Sequence, residues 1–228
     1  MRKKIVFSLG GSLIVPGVGT IDTAFLKKFI TLLKRFADQY DFYLIVGGGR
    51  TARVYQQAAR DLKITSHEIL DGLGIATTRL NAALVKSACG VLAAKELIVD
   101  PENIKIDKKA HVYVGGGWKP GWSTDYVAVK VAEKLGIKTV VNLSNIDYIY
   151  DQDPRNNPKA KALTDLTWAQ FRALVGNKWS PGANLPFDPV ACLLAEKLKL
   201  ELVVMNGANM VELAKLLKGK KIKGSIVA

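Results

Sequence analysis

Three clusters of glycine come directly after short apolar runs in this chain of 228 residues. Because glycine has no Cβ, backbone N–H groups can approach an anion closely at such positions. A helix that begins there adds the partial positive charge of its N-terminus. One cluster alone would be explained by a tight turn, whereas three in equivalent positions predict a site that binds phosphate groups. The clusters are Gly10-Gly11, Gly47-Gly48-Gly49 and Gly115-Gly116-Gly117.

Positive charge for such a site is available directly after the second cluster. Arg50 and Arg53 lie within the first turns of the helix that is expected after Gly49. A guanidinium group is suited to bidentate contact with phosphate oxygens. The two side chains are therefore expected to join the backbone amides around a phosphate.

Two further segments carry polar residues next to predicted elements. The segment "STD", residues 123–125, either caps a helix or takes part in the site. The segment "SNIDYIYDQDP", residues 144–154, places apolar and aromatic residues between polar ones, which a plain surface loop does not need. It predicts a slot for an adenine base beside Tyr150, with Asp153 near a ribose or a metal ion.

Several common nucleotide and nucleophile motifs are absent from the sequence. There is no G-x-x-x-x-G-K-[ST], and the helix after "GGG" lacks both the G-x-G-x-x-G spacing and a suitably placed ribose acid. The segment "GGS" is not a G-x-S-x-G nucleophile elbow, and neither His67 nor His111 has a triad-like setting. P-loop proteins, dehydrogenases and serine hydrolases are thereby excluded.

Composition predicts a globular chain in a reducing compartment. Apolar residues make up 49% of the sequence, enough to bury a core in one large domain or two small ones. No apolar run approaches the roughly 20 residues that a bilayer span requires, so no membrane segment is expected. Cys89 and Cys192 lie in apolar helical patterns and have no partner at metal-ligand spacing. Two buried thiols in the cytoplasm are therefore expected, rather than a disulfide framework.

The formal net charge of +13 has three possible explanations: nucleic-acid binding, attraction of small anionic substrates, or solvated surface charge. The densest basic run, residues 215–225, has no interleaved aromatic residues and no recognisable nucleic-acid motif. Binding to nucleic acid is therefore not favoured. The other two explanations stay open.

The predicted elements alternate between short solid apolar strands and amphipathic helices. This alternation is typical of an α/β fold with a mainly parallel sheet that is covered on both faces. In such a sheet, ligands bind at the carboxyl ends of the strands, where the glycine clusters lie. The segment 175–189, rich in Gly, Pro and Asn, is either a mobile loop over the site or a long connection. Strands are predicted at 4–9, 42–46, 111–114, 138–143, 200–205 and 225–228, and helices at 22–38, 50–62, 72–89, 124–135 and 188–199.

Six segments, in this order, make the sequence similar to the amino acid kinase family, and within it to the archaeal-type uridylate (UMP) kinases. They are "SLGGS", "VGGGRTAR", "DGLGIATTRLNA", "GGWKPGWSTD", "SNIDYIYDQDP" and "FDPVACLLAEKL", which extend over roughly residues 4–206. The resemblance implies a single domain, 1–228, folded as a three-layer αβα sandwich with a mainly parallel open sheet. About 1–136 would bind the acceptor, and about 137–228 would bind ATP.

The resemblance also implies a reaction, in which ATP donates its γ-phosphoryl group to UMP with Mg²⁺ and gives UDP and ADP. The residues implied around ATP are Gly10, Gly11, Ser12, Gly49, Arg53, Ser144, Asn145, Tyr150 and Asp153. Those implied around UMP are Gly48, Asp71, Gly117, Trp118, Lys119, Pro120, Gly121, Trp122, Ser123 and Thr124. No set of metal ligands is implied. The family members commonly form homo-oligomers, often hexamers.

One departure from the family concerns the cation that assists the transfer. Most members have a lysine where this chain has Ser8. Arg53 is the first candidate to replace that lysine, and Lys119 is the second. Asp125 matches an acid that organises the reacting groups, whereas Asp188 is expected only to cap a helix.

Two alternatives to a uridylate kinase follow from the same residues. One is a kinase of another small phosphate, such as isopentenyl phosphate. That branch is expected to have a histidine in the helix after the triple glycine, and residues 50–62 contain none. The other is a non-catalytic nucleotide-binding or storage protein, which the absence of the strand-end lysine would support.

Overall fold

The computed structural model describes residues 2–154, 156–157, 159–176 and 185–228, so most of the segment 175–189 lies outside the described residues. The strands within these ranges are β1 (Lys3–Leu9), β2 (Tyr40–Val46), β3 (Val112–Gly115), β4 (Thr139–Ser144), β5 (Ile149–Tyr150), β6 (Ala162–Leu163), β7 (Asp165–Leu166), β8 (Glu201–Asn206) and β9 (Ser225–Val227). The helices are α1 (Gly11–Ile14), α2 (Thr23–Phe36), α3 (Gly49–Asp61), α4 (His67–Cys89), α5 (Thr124–Leu135), α6 (Trp168–Val175), α7 (Pro189–Lys197) and α8 (Met210–Leu217). A 3₁₀ turn, Gly90–Leu92, follows α4.

The main sheet has seven strands in the order β3-β2-β1-β4-β8-β9-β7. Strands β3, β2, β1, β4 and β8 are parallel to one another, and β9 pairs antiparallel with β8. Strand β7 pairs parallel with β9, and β5 forms a separate antiparallel pair with β6. The mainly parallel open sheet is confirmed, and the predicted last strand, β9, runs with β7 in the direction opposite to the other five strands.

Each face of the sheet is covered by helices because the strands are apolar on both sides. Along β1, Phe7 and Leu9 pack into one core, whereas Val6 packs into the other. Along β2, Phe42 and Leu44 alternate in the same way with Tyr43 and Ile45. Helices α2, α4 and α8 contribute to the first core, and α5, α6 and α7 contribute to the second. The three-layer αβα sandwich is thereby confirmed.

The capping residues explain why most predicted helices begin and end where they do. The Asp22 side chain accepts a 2.8 Å hydrogen bond from the Phe25 amide at the start of α2. Helix α5 has the predicted bounds, and it ends at Gly136, which adopts the left-handed conformation with φ 66°. Helix α4 begins at His67 rather than at residue 72, because Ser66 provides an N-cap upstream of the predicted start.

Three helices and several short strands were not predicted. Helix α1 is a single turn of four residues that begins at Gly11, within the first glycine cluster. Helix α6 has a readable signal, a capping box formed by Thr167 and Gln170. Helix α8 overlaps the basic run 215–225, where the density of lysines hides a helical apolar face. The two-residue strands β5, β6 and β7 are too short for an alternating pattern to be recognised.

Other expectations about the chain can be compared with the structure directly. Both Cys89 and Cys192 are buried and free, as predicted. Among the helices of the described residues, none combines the length and the apolar character that crossing a membrane requires.

Candidate functional site

The first two glycine clusters lie against each other at the carboxyl ends of β1 and β2. A Cβ added at Gly11 would lie 2.1 Å from the backbone nitrogen of Gly49 and 2.6 Å from the carbonyl of Gly47. Gly49 itself has φ +62°, a conformation that favours glycine. These glycines are therefore required both by close backbone contact and by backbone conformation. Their predicted meeting at one edge of the sheet is confirmed.

The backbone amides of these clusters differ in what they can offer to a ligand. The amide of Gly10 donates a 2.8 Å hydrogen bond to the carbonyl of Leu143, and that of Gly47 donates one of 2.9 Å to Leu9. Within the described part of the chain, the amides of Gly11, Gly48 and Gly49 donate to no protein acceptor. The amide contact predicted for Gly10 is thus corrected, because its N–H is already used by β4. Contact between a backbone amide and phosphate is therefore expected from Gly11, Gly48 and Gly49.

The third glycine cluster, Gly115-Gly116-Gly117, packs closely against α4. The amide of Gly117 donates a 2.7 Å hydrogen bond to the Thr78 hydroxyl, and that of Gly116 donates one of 3.3 Å to the Ile98 carbonyl. A Cβ at Gly116 would lie 2.9 Å from the Thr78 Oγ1 atom. Glycine is needed here because α4 lies directly against the chain. The prediction that the amides of Gly116 and Gly117 face an anion is wrong, since both already donate to protein acceptors.

Helix α4 holds the acceptor loop, by which we mean Gly117–Thr124, at both ends of its exposed part. The Arg79 guanidinium donates to the carbonyls of Gly117 and Trp118 at 3.1 and 2.9 Å. The Asp71 carboxylate accepts a 2.8 Å hydrogen bond from the Gly121 amide. The structure therefore brings Asp71 to the acceptor loop, as the predicted site requires. Arg79 was missed, although it lies inside a segment singled out for its family resemblance.

Both tryptophans of the acceptor loop have aromatic or cationic neighbours. The Trp122 ring stacks on Tyr126 with centroids 4.0 Å apart, and Trp118 packs against the core under α5. The Lys119 Nζ atom lies 3.9 Å from the centroid of the Trp118 ring, a cation–π contact. In this conformation Lys119 is held by its neighbour, and Pro120 and Gly121 beside it are exposed.

Four side chains from distant parts of the chain form a polar cluster beside the first glycines. The Ser8 hydroxyl donates a 2.7 Å hydrogen bond to the Asp125 carboxylate, which also accepts one of 3.2 Å from the Asp188 amide. The Ser123 hydroxyl donates a short hydrogen bond to the Asp188 carboxylate. Asp188 caps α7 as expected, by accepting from the Val190 amide at 2.7 Å. Its second role, as part of this cluster, was missed because residues 8, 123, 125 and 188 meet only in the folded chain.

The cluster contains two acids whose charged forms are disfavoured. Burial, together with the neighbouring charge of Asp188, raises the pKa of Asp125 to about 6, although the hydrogen bond from Ser8 lowers it. Burial also raises the pKa of Asp188, whose residue is only 4% exposed. Shifts of this kind are common at functional sites. Ser8, at the position of the family's lysine, therefore supplies no positive charge but holds the Asp125 carboxylate.

The residues predicted for the ATP side lie around the end of β4. A Cβ at Gly10 would lie 2.9 Å from the Leu143 carbonyl oxygen and 3.6 Å from the Ser144 Cα, so Ser144 adjoins the first glycine cluster. Asn145 is exposed beside it. Tyr150 lies in β5 with its ring edge-on to that of Tyr148, at a centroid distance of 6.4 Å. The carbonyl of Asp153 accepts hydrogen bonds from the amides at 156 and 157, at 3.1 and 2.9 Å.

The two arginines of α3 differ from the rest of the site in their exposure. Arg50 and Arg53 are both exposed, and in the described residues neither guanidinium makes a hydrogen bond or an ion pair with the protein. The Arg50 amide donates to the Val15 carbonyl at 3.2 Å, which ties the start of α3 to α1. Both side chains are thus free to meet an anionic ligand, which is what the sequence predicts of them.

This arrangement of free amides, buried acids and exposed arginines at one sheet edge is that of a phosphate-handling site on an αβα sandwich, and comparison with known proteins gives the family. The sequence model of the amino acid kinase family matches residues 3–206. The chain belongs to the amino acid kinase family. A uridylate kinase of Methanospirillum hungatei is 34% identical over 225 residues, covering 98% of this chain and 94% of that protein. A uridylate kinase of Pyrococcus abyssi is 33% identical over 220 residues, covering 95% and 96%.

Solved structures agree with this assignment. The crystal structure of a uridylate kinase from Archaeoglobus fulgidus matches with a TM-score of 0.81 and 31% identity, covering 100% of both chains. A UMP kinase from Ureaplasma parvum matches with a TM-score of 0.76 at 21% identity, covering 100% of this chain and 99% of that one, and supports the fold alone.

Proposed function

We propose that this protein is a uridylate kinase, which transfers the γ-phosphoryl group of ATP to UMP and gives UDP and ADP. The observation that carries the proposal is the junction of the free amides of Gly11, Gly48 and Gly49 with the acid cluster around Asp125. The near full-length similarity to proteins named uridylate kinase supports the choice of substrate. The alternatives of an isopentenyl phosphate kinase and a storage protein have no comparable support.

The two substrates would occupy different parts of the chain. We assign UMP to residues of about 1–136, where Asp71 and Gly48 adjoin the acceptor loop and its Trp118-to-Thr124 stretch. ATP is assigned to about 137–228, with Ser144, Asn145, Tyr150 and Asp153 on its nucleoside side and Gly11, Ser12, Gly49 and Arg53 near its phosphates. The position of Ser144 next to Gly10 supports this division, because it places the end of β4 against the first glycine cluster.

The acceptor needs no strong general base. The second ionisation of a phosphate monoester has a pKa of about 6, so UMP is mostly a dianion at neutral pH. Catalysis then depends on positioning two anions and on neutralising the charge of the transferred group. Asp125 would position the reacting groups rather than remove a proton, and Ser8 fixes the orientation of its carboxylate.

Positive charge must come from residues other than Ser8. Arg53 is our first candidate, because its guanidinium is exposed and unpaired within the described residues, about one helical turn after Gly49. Lys119 is second, since its ammonium would first have to leave the Trp118 ring. Transition-state cations of this kind are worth several orders of magnitude in phosphoryl transfer.

A magnesium ion bound with ATP fits the site. No group of three or more His, Cys, Asp or Glu side chains in the described residues could hold a metal by itself. Mg²⁺ in phosphoryl-transfer sites is held largely by substrate phosphates with one or two carboxylates, and Asp125 is the carboxylate we assign to it. When bound, the ion would neutralise charge on the phosphates.

A homo-oligomer in the cytoplasm completes the proposal, and the family resemblance implies a hexamer. Helices α3 and α4 and the turn after α4 expose large apolar side chains, with Leu62 75%, Leu80 65% and Val91 98% exposed. Surfaces of this kind commonly mark interfaces between proteins. Two buried cysteines without a disulfide are compatible with a reducing compartment.

The deciding experiment measures ADP release with UMP, CMP, AMP and isopentenyl phosphate as acceptors. We expect kcat/KM for UMP to exceed that for AMP or isopentenyl phosphate at least about tenfold. Isopentenyl phosphate has no ribose, so it would lose a buried hydrogen bond worth about 1–3 kcal/mol. Preference for isopentenyl phosphate would replace the proposed acceptor. ATP binding without ADP release from any acceptor would instead support the non-catalytic alternative.

A further inference from the structure

One side chain of α4 is bonded to two consecutive carbonyls of the triple-glycine segment. The Nδ2 atom of Asn81 donates to the Gly47 oxygen at 2.9 Å and to the Gly48 oxygen at 3.1 Å. Asn81 is only 5% exposed, although it is polar and lies on the packed face of the helix. A buried carboxamide needs hydrogen-bond partners, and the carbonyls of Gly47 and Gly48 satisfy this need for the Asn81 Nδ2 atom.

These two bonds fix the directions of the amides that follow. A trans peptide is planar, with its C=O and N–H groups pointing in opposite directions. When the Gly47 oxygen points to α4, the Gly48 N–H points away from α4. Because the Gly48 oxygen also points to α4, the Gly49 N–H likewise points away from this helix. The Gly49 nitrogen is the backbone atom that faces Gly11. Both amides are among those without a protein acceptor in the described residues.

The segment has little else to hold its peptides in this orientation. Glycine has the widest choice of backbone conformations, so three in succession do not select one by themselves. The Gly48 oxygen accepts one other hydrogen bond, at 3.4 Å from the Ala52 amide. The Gly47 oxygen accepts none other in the part of the chain that the structure describes.

We infer that Asn81 is a positioning residue of the nucleotide site, which directs the amides of Gly48 and Gly49 toward the phosphates of the bound nucleotides. The inference deepens the proposed function, on which it rests for the identity of the ligands. It assigns to α4 a second task beside holding the acceptor loop through Arg79.

The test compares nucleotide binding by Asn81→Leu and by a control, Tyr40→Phe. Leucine resembles asparagine in shape but donates no hydrogen bond. Tyr40→Phe also removes one donor from a buried carbonyl, that of Leu217, which its hydroxyl binds at 2.9 Å. Tyr40 lies at the start of β2, and the triple glycine follows the end of the same strand. Each variant therefore removes hydrogen bonds to buried carbonyls, two for Asn81→Leu beyond the end of β2 and one for Tyr40→Phe at its start.

Isothermal titration with UMP and with ATP, each alone, gives Kd without requiring turnover, and melting temperatures are measured in parallel. We expect Asn81→Leu to raise Kd at least tenfold for one or both nucleotides, and Tyr40→Phe to leave both within twofold of the unmodified chain. Asn81→Asp, measured at pH 8, should weaken binding further, because its carboxylate faces two carbonyl oxygens. If Asn81→Leu does not fold, Asn81→Ser serves as the deciding variant, with the same tenfold expectation.

A purely structural role for Asn81 would lower the melting temperature without changing Kd, and that result would overturn the inference. Absence of UMP phosphorylation by the unmodified chain refutes the proposed function but leaves the comparison of Kd values intact. An unmodified chain that binds neither nucleotide overturns both.

Discussion

The hydroxyl of Ser8 and the carboxylate of Asp125 are joined by a 2.7 Å hydrogen bond, although 117 positions separate them in the sequence. Ser8 lies in β1, and Asp125 is the second residue of α5. A neutral donor thus stands where the family resemblance implies a lysine. The hydrogen bond from Ser8 lowers the pKa of Asp125, whereas burial and the charge of Asp188 raise it.

Ser8→Ala tests that relationship through the pH dependence of kcat. Without the hydroxyl, the pKa of Asp125 should rise above its value of about 6, so the acidic limb of the profile should move to higher pH. Loss of a hydrogen bond to a charged group should also lower kcat at pH 7 by about tenfold. The phosphate of UMP also titrates at about pH 6, but it does so equally in assays of the unmodified chain and of Ser8→Ala, so it does not affect the comparison. Superimposable profiles would show that the bond has no part in the reaction.

Asp125→Asn should lower activity while it stabilises the fold. A carboxyl group whose pKa rises from 3.8 to about 6 on folding binds its proton more tightly in the folded chain, so its burial lowers stability as pH rises through that range. At pH 8 the neutral variant should be more stable by about 1–3 kcal/mol, and below the unfolded pKa of 3.8 the difference should vanish. Chemical unfolding at both pH values measures this, and kcat should fall at least about a hundredfold. A variant less stable at pH 8 would contradict the assigned burial cost.

Arg79→Ala should impair UMP far more than ATP. The side chain bonds two carbonyls of the acceptor loop, at 3.1 and 2.9 Å, and each bond to a charged donor contributes about 1.5–3 kcal/mol. We expect KM for UMP to rise at least about tenfold and KM for ATP to stay within about twofold. Arg60→Ala, an exposed change in the last turn of α3, is the matched control. Equal effects on both substrates would mean that Arg79 supports the fold as a whole.

Arg53→Ala and Lys119→Ala together decide which cation assists the transfer. Arg53→Ala should lower kcat at least about a hundredfold with an unchanged circular dichroism spectrum, because such cations act in the transition state. Lys119→Ala should have the smaller effect, since its ammonium is held 3.9 Å from the Trp118 ring. Full turnover by Arg53→Ala, with none by Lys119→Ala, would reverse the ranking.

Features that depend on neighbouring residues were predictable from the sequence. The Asp22 cap and the end of α5 at Gly136 are of this kind. The meeting of the first two glycine clusters followed from a general rule, since the carboxyl ends of parallel strands lie at one edge of a sheet. The sheet also followed from local patterns, because solid apolar strands alternate with amphipathic helices. The family resemblance then gave the predicted residues an order around two substrates.

Features that depend on distant partners were missed. The sequence around Asp188 predicts only a helix cap, and the folded chain is what brings this residue to Ser123 and Asp125. Arg79 and Asn81 lie in an ordinary helical pattern, and their carbonyl partners have no sequence signature. Anion binding was wrongly predicted for the third glycine cluster, because close contact with a helix requires glycine just as anion binding does.

The place of β9 in the sheet sets the order in which the chain can fold. Strand β7 pairs with β9 through Asp165 and Ile226, and among the described strands it has no other neighbour. Strand β9 in turn lies against β8. This edge of the sheet therefore cannot form until residues 225–227 have docked, long after β7 has left the ribosome. Substitutions that detach β9 should therefore also release β7 from the sheet, because no other described strand pairs with β7.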